Sequence, residues 1–262
     1  MSVLSDLPDA SSFAAAFADP RFLPAAVVAA LAGAVRGFSG FGSALIYVPL
    51  VAAIYDPRIA AVTLLLIDLV SSLPFTVPAF ARCNWREVVP VTAAAALMVP
   101  VGTMILLFVD PMILRWVIAV LVIGLLMVLM SGWRYHGEPH LSASLGVGAV
   151  AGLCSGAVQI GGPPVIIYWL GGPGAATIVR ANLMVFFGLV GAATATSYAA
   201  QGLLTRPALA LAVLLGAPFL GAMILGALMF RGASEALYRR VAYGLIAASA
   251  LVSLPLFDHL LR

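Results

Sequence analysis

Long uncharged apolar stretches alternate along this chain with short polar knots. Val88–Val109, Ala181–Thr205 and Pro207–Phe230 contain no charged residue, and Trp116–Trp133 is a slightly shorter run of the same kind. The longer ones reach the roughly 20 residues that a helix needs to cross a bilayer. Their apolar residues are continuous rather than alternating, which excludes a β-barrel. Two further apolar stretches are interrupted. Leu141–Val179 is uncharged but holds Gly156, Gly161, Gly162, Pro163 and Pro164. Proline lacks the amide hydrogen a helix needs and pushes the preceding residue out of helical geometry. The pattern predicts a helix ending near Ala157, a turn through Gln159 and Gly162, and a second helix from Pro163. The first stretch, Phe22–Tyr55, is broken in the same manner at Arg36-Gly-Phe-Ser-Gly-Phe-Gly-Ser43. Broken backbone at membrane depth must be buried in protein or face a wet cavity, so both breaks mark a candidate site.

Each broken stretch is followed by three plain ones: Arg58–Phe80, Val88–Val109 and Met112–Trp133, then Ala175–Ala200, Pro207–Phe230 and Glu235–Leu260. The expected fold is an all-α polytopic membrane protein of two repeat-related halves. Each half is a broken, hairpin-like element plus three transmembrane helices. The expected divisions are an N-terminal tail (1–20), a first repeat (21–133), a connecting loop (134–140) and a second repeat (141–262). Gly33, Gly37 and Gly42 match Gly152, Gly156 and Gly161 at a constant spacing of 119, as does Met104-Ile-Leu106 with Met223-Ile-Leu225. Pro100 lies near the counterpart of Pro218. Repeats with matching Gly/Pro interruptions point to a secondary transporter's binding site. Matching loops carry opposed charge: Arg82 and Arg86 against Arg206, and Arg115 against Arg231, Arg239 and Arg240. That pattern suits inverted halves. Arg82, Arg86, Arg134, Arg231, Arg239 and Arg240 are then expected on the cytoplasmic face, with both termini outside.

Composition sharpens the class. With 63% hydrophobic and 9% charged residues, the chain is no soluble globule. The net charge of +3 comes from arginines scattered over short loops, with no lysine, so no nucleic-acid partner is expected. The tail before Pro20 holds Asp6, Asp9 and Asp19 without a basic region and reads as a frayed tail or short surface helix, not a cleavable signal peptide. Cys83 and Cys154, and His136, His140 and His259, lack metal-ligand spacing, so no metal or cofactor is expected. No HExxH, nucleophile–His pair or intramembrane carboxylate pair is present, and the chain is not expected to be an enzyme.

A helix that begins inside the membrane points amide hydrogens and partial positive charge at what precedes it, which suits an anion. The candidate binding walls are Ser39, Gly40, Gly42 and Ser43 on one side, and Gln159, Gly161 and Gly162 on the other. The competing reading of such glycines is close helix packing. Arg36 adds a planar guanidinium beside the first break, or else snorkels to an interface. Arg180, Asn182 and Tyr168 complete the candidate set, with interfacial or packing roles as their alternatives. Asp68 is the acid deep in an apolar run and the coupling candidate, or a structural partner for Arg36 or Arg180. Tyr47 and Trp169 flank the breaks and could line the path, with packing or an interfacial belt as the default reading, and Trp85, Trp116 and Trp133 read as belt residues.

GFSGFGSALIYVPL at Gly37–Leu50 and GAVQIGGPPVIIYWL at Gly156–Leu170 resemble the paired glycine-rich signatures of the TauE/SafE sulfite exporter family. The resemblance covers nearly all of the chain after Ala25. Gly40-Phe-Gly-Ser43 departs from the family's usual consecutive glycines, and Pro163-Pro164 is similar to one branch of it. The resemblance implies transport of small sulfur-containing anions, such as sulfite or organosulfonates, across a bacterial inner membrane. The expected partners are a small anionic substrate and the lipid bilayer, with a homodimer allowed. An anion channel, or a transporter of a small non-sulfur carboxylate, is the alternative.

Overall fold

The computed structural model of the chain describes residues 8–39, 42–131, 140–170, 176–229, 244, 246–252 and 254. Among them the apolar runs form helices throughout: α1 (Ala10–Ala18), α2 (Phe22–Ser39), α3 (Ser43–Ile54), α4 (Pro57–Ala79), α5 (Trp85–Phe108), α6 (Pro111–Ser131), α7 (Leu141–Val158), α8 (Gly162–Leu170), α9 (Ala176–Ala200) and α10 (Arg206–Met229). Six of these, α4, α5, α6, α7, α9 and α10, are long and apolar enough to cross a bilayer. Leu97, Phe108, Val120 and Val213 turn outward from these helices, the solvation expected in lipid. The chain is an all-α, multi-pass membrane protein.

The start of the chain shows why a tail becomes an element. Asp9 accepts the Ser12 amide at 2.9 Å and caps α1. The chain then bends by 90° into α2. Asp19 pairs with Arg21 at 2.8 Å in that bend, and the Arg21 guanidinium holds the Asp19 carboxyl below its usual range. Of the last expected helix, Glu235–Leu260, only 244, 246–252 and 254 are described, and 246–252 are helical. The connecting stretch 134–139, with Arg134 and His136, lies outside the described residues, as do Gly40, Arg231, Arg239, Arg240 and His259.

The chain forms two compact units that do not follow the sequence halves. One holds residues 1–67, 109–130 and 202–262, the other 68–108 and 131–201. In the first, α2 packs along α10; in the second, α7 packs along α5. Both crossings are built on glycine. A Cβ on Gly33, Gly37 or Gly226 would collide with the carbonyl of Phe219, Met223 or Ala34 respectively. A Cβ on Gly152, Gly156 or Gly102 would collide with the carbonyl of Ala95, Val99 or Leu153. Without side chains the backbones close until a Cα hydrogen meets a facing carbonyl, a recurring source of helix–helix attraction in membranes. These glycines upstream of the breaks thus serve close helix packing.

The two sets of contacts superimpose in register. Gly33, Gly37 and Ala34 stand 119 before Gly152, Gly156 and Leu153, while Ala95, Val99 and Gly102 stand 124 before Phe219, Met223 and Gly226. Helix starts agree: residues 22, 43 and 57 against 141, 162 and 176 are again 119 apart. At the 124 spacing of these partner helices Met104 falls on Leu228 and Pro100 on Ile224, whereas Met104-Ile-Leu106 matches Met223-Ile-Leu225 at 119.

Candidate functional site

Both expected breaks are present. The first lies between α2 and α3. Gly42 sits there at φ 91, in the left-handed region that favours glycine, and no side chain caps the start of α3. The opening turn of α3 thus presents amide donors, and Ser43 is buried. Arg36, in the last turn of α2, is half-buried with Nη1 3.5 Å from Ser43 Oγ across the break. A cation there also complements the carbonyl end of α2. The structure so brings Arg36, Gly42 and Ser43 together. α3 itself is held by Tyr47, whose hydroxyl lies 2.9 Å from Thr63 Oγ1, and by Ser249, which donates to the Leu45 carbonyl at 3.0 Å. Ser39 ends α2.

The second break separates α7 from α8. α7 runs to Val158 and α8 begins at Gly162, within one residue of expectation. Gln159 closes α7 at φ 58, the non-glycine residue in the left-handed region among those described. Its amide donates to the Ser155 carbonyl at 3.1 Å, and the Ile160 amide to that of Cys154 at 3.3 Å. This is a left-handed helix stop of the kind glycine usually supplies. The Gly156 carbonyl, freed by the stop, accepts the Tyr198 hydroxyl at 2.8 Å, and Gln159 Nε2 lies 3.5 Å from that hydroxyl. Gly161 is buried so tightly that a Cβ would strike Ser155 Oγ and the Ala151 carbonyl, while Gly162 faces the Phe187 ring. Tyr168, buried in α8, bonds Ser144 of α7 at 2.9 Å.

The remaining candidates sit elsewhere in their units. Asn182 is fully buried, and both ends of its carboxamide are engaged: Oδ1 accepts the Asn84 amide at 2.7 Å and Nδ2 donates to Glu87 Oε2 at 3.1 Å. Asn84 Nδ2 completes the ring by donating to Glu87 Oε1 at 2.7 Å. Arg180 is exposed on α9, and Asp68 is half-buried in α4. Trp169 packs edge-on against Phe186 in the core, as its packing reading expects, and Trp85 and Trp116 are exposed near helix starts.

Sequence reasoning passed over two features. Tyr198 looks like one more apolar residue of a long helix, and only the freed carbonyl facing it reveals its use. Arg115, read as a loop charge, is 4% exposed inside α6. Its place four residues beyond Pro111 was the available signal, since a charge one turn into a membrane helix is costly unless it is engaged.

No curated protein and no solved structure matches the chain. The sulfite exporter TauE/SafE family, by contrast, matches residues 25–253, which takes in both breaks and both glycine crossings. The chain belongs to the TauE/SafE family of membrane transporters.

Proposed function

We propose that this protein is a secondary transporter, working as an exporter, for small sulfur-containing anions such as sulfite or organosulfonates in a bacterial inner membrane. The anion binds at the helix breaks within the membrane, and inverted halves give it alternating access. The observation that carries the reading is the first break: a half-buried guanidinium 3.5 Å from Ser43 beside a helix start without a side-chain cap. Sulfite and sulfonates present several oxygen acceptors on one centre, which a planar fork and converging amides can share. The shared register of the glycine crossings supports duplication, and the family supports the sulfur anion. Ser39 stands at the first break and Gly161 and Gly162 at the second, Tyr168 ties α8 to α7 through Ser144, and Arg180 and Asn182 lie toward the opposite end of α9 from Tyr198. Asp68 carries the coupling proton.

Flux into proteoliposomes tests the reading. Sulfite and taurine-like sulfonates should move faster than matched carboxylates, and preloaded unlabelled sulfite should accelerate uptake by exchange. A preference for carboxylates would refute the sulfur specificity. Flux without exchange would instead support a channel.

A further inference from the structure

We propose that Tyr198 is the positioning residue of the second break, fixing the Gln159 carboxamide as a hydrogen-bond donor toward the transported anion. This rests on the transport reading above and adds to it the residue that sets the polarity of one wall.

The two breaks do not offer equal donors. The start of α3 has amides, whereas α8 opens Gly162-Pro163-Pro164, and both prolines lack an N–H. With those two amides gone, a side-chain donor at the second break makes up part of the difference, and Gln159 is the residue placed for it. Its backbone gives no reason for glutamine, because a left-handed side-chain residue costs about 1–2 kcal/mol relative to glycine. What glutamine brings there is its carboxamide.

That carboxamide has two faces, an accepting oxygen and a donating amide, and only the second attracts an anion. Tyr198 selects it. Its hydroxyl has one hydrogen, which goes to the Gly156 carbonyl at 2.8 Å. Toward Gln159, 3.5 Å away, the oxygen can then only accept. Nε2 must therefore face Tyr198, and its second hydrogen remains for a guest. Tyr198 is fully buried, so water does not compete for the hydroxyl. A run of hydrogen bonds in one direction, Gln159 to Tyr198 to Gly156, polarises each donor in turn. The plainer role, satisfying one carbonyl in an apolar interior, would leave Gln159 indifferent to the tyrosine.

A double-mutant cycle on full-length protein in proteoliposomes separates the two, with radiolabelled sulfite as probe. Tyr198→Phe keeps the ring and removes the hydroxyl. It should raise the KM for sulfite about 3- to 10-fold, the worth of one neutral hydrogen bond, with Vmax moving less. Gln159→Ala should do the same. The double variant should be no worse than the poorer single one, because the tyrosine acts through the glutamine. Effects that multiply, or a KM unchanged by Tyr198→Phe while the melting temperature falls, would overturn the proposal. Hydrogen exchange supplies an arm that needs no transport: Tyr198→Phe should speed exchange at the amides of Gln159 and Ile160 but not along α9. Unchanged exchange there overturns the brace. Wild-type protein that moves no sulfite would sink the transport reading, and exchange would then decide alone whether Tyr198 holds Gln159.

Discussion

The two breaks stand on the same glycine frame and carry different chemistry. Gly33 and Gly37 bring α2 onto α10 as Gly152 and Gly156 bring α7 onto α5, carbonyl for carbonyl. At the breaks the likeness stops. Position 36 is arginine, and its counterpart 119 residues on is Ser155, a small neutral group wedged against Gly161. Position 43 is serine with an amide to offer, and its counterpart is Gly162, followed by two prolines. The first break therefore supplies charge and main-chain donors, the second a neutral carboxamide held by a buried tyrosine. Backbone approach carries the architecture, and a few side chains at the gaps set the two breaks apart.

The severest way to break the comparison is to fill the crossings. Gly33→Leu and Gly152→Leu should each cost about 3 kcal/mol or more, because rigid backbone lies where the side chain must go. Both should abolish folded yield, read by size-exclusion profile and thermal melt. If one crossing tolerates leucine, the two are not equivalent. Gly124 is the control: a Cβ added there would meet no atom within 4 Å, and Gly124→Ala should leave the protein folded.

The charge asymmetry comes next in size. Arg36→Ala should lower sulfite flux about 10- to 100-fold, the worth of a charge-assisted hydrogen bond, while Arg36→Lys keeps part of it. Ser155→Ala should matter far less. Equal losses at the two positions would remove the distinction, and unchanged flux for Arg36→Ala would return that residue to snorkelling.

The division between legible and hidden follows the same line. Both breaks, the helices around them and the 119 spacing could be read from runs of apolar residues and from Gly and Pro, whose effects act within a few residues of themselves. What could not be read depends on which helix faces which. Pairing α2 with α10 and α5 with α7 crosses the sequence halves, so the 124 spacing of the partner helices was invisible. Tyr198 was missed for the same reason, because a polar group in a long helix is read by what it faces, whereas Arg115 was marked by its place one turn past Pro111 and passed over. Asn182 was noticed as polar, but its fit to Asn84 and Glu87 spans about a hundred residues of sequence.

Asn182 sharpens the comparison at a smaller scale. Its counterpart 119 residues earlier is Thr63, and both are fully buried. Thr63 bonds the Tyr47 hydroxyl, whereas Asn182 ties α9 to the start of α5 through two groups. Asn182→Ala strands the Asn84 amide and one Glu87 oxygen, and should cost about 1–3 kcal/mol. Thr63→Val should cost less. The KM for sulfite should hold in both. A raised KM without lost stability would instead move Asn182 into direct contact with the anion.

The gentlest perturbation tests the inversion itself. Cys83, between α4 and α5, is a native label, and its Sγ donates to the Phe80 carbonyl at 3.6 Å. Partial burial raises the thiol above its ordinary value, so less thiolate exists at a given pH. Labelling by a membrane-impermeant maleimide should therefore be slow near neutrality and keep accelerating with pH beyond the range where a free cysteine levels off. If Arg82 and Arg86 face the cytoplasm, the reagent should reach Cys83 in inside-out vesicles and miss it in intact cells. The matching loop between α9 and α10 holds Gln201, which is exposed. In a Cys83→Ser background, Gln201→Cys should label from the opposite side, because inversion places corresponding loops across the membrane from one another. Labelling of both positions from one side would mean parallel halves, and the two breaks would then enter the membrane from the same face.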